Sequence, residues 1–162
     1  MTDRAYRIGT AESVTDLADV RVLFRDYAAW LALDLSFQGF EQELAGLPGA
    51  YAPPLGALLV ARAATGQALG CVAMRPFRPP FECELKRLYV LPAGRGHLLG
   101  QALVSAIVRS AERAGYSKIL LDTLPEMSAA RAIYAAAGFQ TVPPYYDTPL
   151  ASTIFMAKDL GD

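Results

Sequence analysis

LYVLPAGRGHLLGQAL, residues 88–103, decides how the rest of the chain is read. Before it, residues 85–90 form an apolar run with strand character. After it, residues 98–114 carry Leu99, Ala102, Leu103, Ala106 and Ile107 at three- and four-residue spacing, which predicts a helix. A strand that feeds a helix through Gly94, Gly96 and Gly100 turns several backbone N–H groups, and the positive end of a helix dipole, toward one spot. That arrangement suits a phosphate. The same glycines equally suit a tight strand-to-helix turn that needs only unusual backbone angles.

One known motif competes for the turn. Gly94, Gly96 and Gly100 are spaced close to the dinucleotide fingerprint, and Asp122 ends the following strand about 20 residues on. The spacing, however, is one residue too long, and Leu91, Pro92 and Ala93 separate the strand from the first glycine. The unit also starts past the middle of the chain, with one further helix behind it, too little for a doubly wound sheet.

The rest of the chain bounds the function. With 162 residues, 53% hydrophobic and 19% charged, it reads as one globular domain over 1–162. A formal charge of −1, with twelve Arg and three Lys in no dense cluster, gives no reason to expect nucleic acid. No apolar stretch reaches the roughly 20 residues that span a bilayer, so no membrane partner is expected. The opening MTDRAYRIGT lacks the apolar core of a secretory signal. Cys71 and Cys83 follow no metal spacing and are too few for a disulfide framework, which leaves no expected metal and a cytoplasmic location. Absent Asn and abundant Ala and Arg hint at a GC-rich bacterial source.

Strands are expected at 6–10, 57–62, 68–75, 82–90, 118–123 and 152–160. Ser13, with Asp16 three residues on, opens a helix to about residue 33; further helical pieces cover 37–47, 98–114 and 128–137. Pro48-Gly49, Gly115 and Gly138 close the last turns of three of these helices, and residues 76–80 read as a loop.

Three stretches taken together resemble the GNAT superfamily of N-acetyltransferases. They are KRLYVLP (86–92), RGHLLG (95–100) and ARAIYAAAGF (130–139). The first two are similar to that family's acyl-CoA motif, a strand ending in V-x-P followed by Q/R-x-x-G-x-G/A. The third is similar to its A-x-x-x-Y-x-x-x-G-F helix and following strand. The resemblance is strong over about residues 82–139.

The resemblance implies a mixed α/β (α+β) fold, a mostly antiparallel twisted sheet of six or seven strands with about four helices. Its fourth and fifth strands, here 82–90 and 118–123, should splay apart. It implies acetyl-CoA as cosubstrate, with the pantetheine arm lying between those strands against Leu88, Tyr89 and Val90. The pyrophosphate would sit on Arg95, Gly96, His97, Leu98, Leu99, Gly100 and Gln101. A bulge should expose an N–H near Leu88 to polarise the thioester. The acceptor is expected to be a small-molecule amine, and a homodimer is admitted.

The reaction asks for a proton acceptor, because an ammonium titrating near ~10.4 has no lone pair to attack with. Glu84, eleven residues before Arg95, is the expected base, with Glu82 on the same strand face as the alternative. Both also fit as rim charges on a half-exposed strand. Tyr134 matches the family tyrosine that protonates the leaving thiolate, and also fits a core position.

Two departures bear on cofactor binding. Leu98 stands where the motif most often has its second glycine, and keeps its donor only if its φ is negative. Met127 replaces a frequent Asn, so Thr123 or Ser128, with Arg131 nearby, should take over that contact. Trp30, Phe37, Glu82, Tyr145 and Tyr146, with Phe40, are expected around the acceptor. These departures keep a second class of function open: an acyl-CoA- or phospholigand-binding module that has lost the reaction.

Overall fold

Alternating apolar residues and the glycine turns build a sheet whose middle is pulled open. The computed structural model describes residues 6–31, 39–95 and 98–161. Phe37, Gly96 and His97, read above as site residues, lie outside them. In chain order the elements are β1 (Tyr6–Thr10), α1 (Val14–Leu31), α2 (Phe40–Ala45), β2 (Ala57–Ala63), β3 (Ala68–Arg78) and β4 (Glu82–Val90). Then come α3 (Leu99–Arg113), β5 (Lys118–Thr123), α4 (Ser128–Ala136), β6 (Gln140–Val142) and β7 (Ile154–Asp159). The seven strands lie in the order β1-β2-β3-β4-β5-β7-β6. All pairs are antiparallel except β4 with β5. This is the mixed, mostly antiparallel sheet expected above.

Local chemistry explains the helices. The Ser13 hydroxyl accepts the Asp16 N–H at 3.0 Å while Asp16 Oδ2 accepts the N–H groups of Glu12 and Ser13, a reciprocal cap that starts α1. In α3, Leu99, Leu103, Val104, Ile107, Val108 and Ala111 form the buried stripe. That stripe packs on one sheet face with Leu85, Ile119, Leu121 and Tyr134. The other face carries Val20, Leu23 and Phe24 of α1 and Phe40 and Leu44 of α2.

Three boundaries differ from the sequence reading. β3 runs on through Pro76 to Arg78, because the register shifts between Pro76 and Arg78 and relieves the ladder of the N–H that proline lacks. The second helix is shorter than 37–47, and β6 adds a three-residue strand not anticipated.

Candidate active site

β4 and β5 pair only at Glu82 with Lys118, Cys83 with Ile119, and Glu84 with Leu120. Beyond those three pairs the two strands no longer pair with each other, although β4 pairs with β3 as far as Val90 and β5 pairs with β7 as far as Thr123. The inner edges of both strands are therefore left without a strand partner. Such an edge can receive an extended ligand as if it were one more strand.

A bulge lies on the β4 edge. Ala73 faces Lys86 and Cys71 faces Tyr89, so two steps on β3 span three on β4. The extra residue falls at Arg87, whose φ is +62°. An L-residue there costs about 1–2 kcal/mol, and Arg87 is held by strong contacts. Its Nε and Nη2 donate to the two Glu43 oxygens at 3.0 and 2.9 Å, and its guanidinium lies over the Phe40 ring at 5.3 Å. The bulge falls next to Leu88, as expected.

The opening holds two spaces that share wall residues. A groove of about 370 Å³ is lined by Leu88, Tyr89 and Val90 of β4, by Arg95 and Leu98–Gln101 at the start of α3, and by Ala130 and Ile133 of α4. A smaller cavity of about 40 Å³ lies between the strands, with Lys86, Asp122, Thr123, Tyr134 and Tyr146 in its wall. Leu88 and Met127 line both. The junction of groove and cavity is therefore beside the bulge.

The helix end fits an anion. Leu98 caps α3 with no side-chain hydrogen bond to the first-turn amides, so those donors are not taken by a capping side chain. Leu98 has φ +57°, not the negative value its sequence position called for, and its side chain is 68% exposed. Arg95 donates from Nε to the Val90 carbonyl at 3.1 Å and stacks its guanidinium on Trp30 at 5.6 Å. Trp30 in turn packs on Tyr89 at 5.7 Å, which puts it on the wall of the groove. The residues present thus fit a diphosphate-bearing thioester: an uncapped helix start, an unpaired strand edge and a slot between them.

Of the expected catalytic pair, Tyr134 is buried in the cavity wall. Burial above all, then Tyr27 and Asp122, push its phenol far above its ordinary range, so it keeps its proton. Glu84 is 1% exposed and is not among the cavity's described lining residues. Its Oε1 accepts Arg75 Nε and Nη2 at 3.0 and 2.8 Å, and its Oε2 accepts the Tyr145 hydroxyl at 2.6 Å. Glu82 pairs with Arg78 at 3.2 Å.

The other expected residues are spread around the opening. Thr123 Oγ1 donates to the Met127 sulfur at 3.7 Å. Ser128 is exposed at the start of α4, and Arg131 donates to the Pro125 carbonyl at 3.0 Å. Tyr145 and Tyr146 both pack on Phe155 of β7, at 5.0 and 5.1 Å. Tyr146 also donates to Asp122 Oδ2. Sequence reasoning passed over Asp122 as an acceptor-side residue. Its one available signal, an acid at the end of a strand, pointed to the dinucleotide rival instead.

Comparison with known proteins fits this geometry. The model of the acetyltransferase (GNAT) family matches residues 19–139. The chain belongs to the GNAT family. An uncharacterized N-acetyltransferase of Schizosaccharomyces pombe is 43% identical over 146 residues, 90% of each chain. A Klebsiella pneumoniae structure assigned as an acyl-CoA N-acyltransferase superposes with a TM-score of 0.75 at 29% identity, covering 98% of this chain and 100% of its own. A Salmonella typhimurium structure, solved with its cofactor acetyl-CoA, gives a TM-score of 0.69 at 20% identity over 98% and 95% of the two chains. This GNAT chain is thus an acetyl-CoA-dependent acetyltransferase. Its relatives span a yeast and bacteria, so they do not carry the compositional hint of a bacterial source. Among the described residues no helix is long and apolar enough to cross a membrane, and no metal-binding group of His, Cys, Asp or Glu is found.

Proposed function

We propose that this GNAT enzyme acetylates a primary amine of a small molecule by direct attack in a ternary complex. The observation that carries the reading is the loss of β4–β5 pairing beyond Glu84 and Leu120, beside which a groove and a cavity share Leu88 and Met127 in their walls. The fold holds acetyl-CoA in the Salmonella protein. Here the pantetheine arm would lie along Leu88–Val90, the pyrophosphate at the start of α3, and the thioester at the Leu88–Met127 junction. The N–H beside the bulge would take up charge on the carbonyl oxygen.

Tyr134 is the proton donor in this reading. A phenol that stays neutral at working pH has a proton to offer a departing thiolate, and it is Tyr134's place in the cavity wall that argues for the role. CoA should raise the melting temperature by mass action, and Tyr134→Phe should keep that rise while thiol release across an amine panel drops about 100-fold. An unchanged rate in Tyr134→Phe would remove its acid role. Binding of CoA with no thiol release for any amine would instead support a binding module without the reaction.

A further inference from the structure

We propose that Asp122, oriented by Tyr146, is the carboxylate that receives the acceptor's amine and takes its proton, while Glu84 is a positioning residue that anchors the neighbouring tyrosine. The inference rests on the transferase reading above and assigns its proton acceptor.

Two carboxylates stand near the cavity, and only one of them, Asp122, is among its described lining residues. Glu84 sits at the last paired step of β4 and β5, and both of its oxygens are occupied by Arg75 and Tyr145. Its charge is matched by a guanidinium, three of its roughly four acceptor sites are taken, and it is not among the described residues that line the cavity. Asp122 lies two residues past the last β5 pairing step, where the strands have already parted, and it lines the cavity itself. Its Oδ2 accepts the Tyr146 hydroxyl.

The loop before β7 makes this arrangement rigid. Adjacent tyrosines reach opposite sides of the opening, Tyr145 to Glu84 on β4 and Tyr146 to Asp122 on β5. Both rings are wedged on Phe155, and Tyr145 also packs on Phe77 at 5.0 Å. Glu84 therefore fixes Tyr145, and through the shared loop it fixes where Tyr146 holds Asp122. Lys86 and Arg87 of β4, Tyr27 of α1, Tyr134 of α4 and Tyr146 line the same cavity, and Tyr145 borders it through Tyr146. Lys86 is pushed toward its neutral form by burial, against the pull of Asp122 and Glu84.

The step balances as follows. The acceptor ammonium gives one proton to Asp122. The free amine nitrogen attacks the thioester carbonyl, the C–N bond forms and the C–S bond breaks. The sulfur leaves with its electron pair and is protonated from Tyr134. The second nitrogen proton is lost as the amide forms and returns the tyrosine to its neutral state through solvent, and Asp122 releases the proton it took to solvent before the next turnover.

The test uses the full chain, acetyl-CoA and ethylamine, a small primary amine, with thiol release followed from acid to alkaline pH. Wild type should release thiol faster with ethylamine than without. Asp122→Asn should keep the CoA-induced melting rise and lose about 100-fold of the ethylamine-dependent rate at neutral pH. Its rate should then climb with pH as the free amine accumulates. Glu84→Gln should lower the rate through a looser loop while leaving the shape of the pH profile as in wild type. Should Asp122→Asn not fold, Tyr146→Phe keeps the carboxylate, strips its donor, and should move the acid limb of the profile to higher pH. An Asp122→Asn rate within a few-fold of wild type, a Tyr146→Phe profile that does not move, or a wild type blind to ethylamine would overturn the assignment. Absence of any CoA-induced melting rise in wild type would instead bring down the transferase reading beneath it.

Discussion

Replacing Leu98 by glycine should make the protein more stable, although it removes a hydrophobic side chain. Leu98 caps α3 at φ +57°, ψ 24°, a conformation that an L side chain resists by about 1–2 kcal/mol. Glycine adopts it freely but also frees the unfolded chain, which returns about 0.4–1 kcal/mol. Packing adds little to the balance, since the side chain is 68% exposed. The net gain is about 0.5–1 kcal/mol, or roughly 1–4 °C in melting temperature for a chain of this length. Leu98→Ala is the control: it keeps the Cβ and the strain, so it should gain nothing. Thermal unfolding of the three proteins without ligand measures the difference. A glycine variant that melts below wild type would refute the reasoning, because it would mean that the exposed leucine contributes more through contact than its backbone conformation costs. The same variant should bind CoA at least as tightly as wild type, since it takes a leucine side chain out of the groove wall and adds nothing there.

Two further outcomes follow from packing and charge. Gly70→Ala would put a Cβ 2.8 Å from the Tyr89 carbonyl oxygen and 3.4 Å from the Val90 Cα, both main-chain atoms of β4. It should cost about 1–3 kcal/mol and weaken CoA binding, as read by melting temperature with and without ligand. Asp16 is held down from 3.8 to about 2, first by the Glu12 amide and then by Arg62. Because its folded-state value is depressed, its stabilisation is fully present above pH 3.8 and is lost as the pH falls through about 2. Arg62→Ala should therefore flatten the loss of stability over that window relative to wild type, measured by urea unfolding at stepped pH.

How much of this was legible in the sequence differs from element to element. The 82–90 strand, the glycine turn and the apolar stripe of α3 carry their own periodicity, so they fold where the residues say. The parting of β4 from β5 has no local signal and came from the resemblance alone; the structure shows it as pairing that stops at Leu120. Positive φ at Arg87 and Leu98 could not be read, because neither residue type prefers that region and each is placed there by its surroundings. Glu84 was legible as a strand carboxylate, but its saturation by Arg75 and Tyr145 depends on partners nine and 61 positions away. The pairing of Tyr146 with Asp122 was hidden for the same reason, since only β7 and Phe155 bring that loop back over the opening.

The most direct measurement is amide hydrogen exchange along β4 and the start of α3, with and without CoA. Slowed exchange at the Leu88 and Val90 amides and in the first turn of α3, with β1 and β2 unaffected, is the result that a ligand seated between the parted strands requires. Exchange at those amides that CoA leaves unchanged, or protection confined to another face of the sheet, would contradict it.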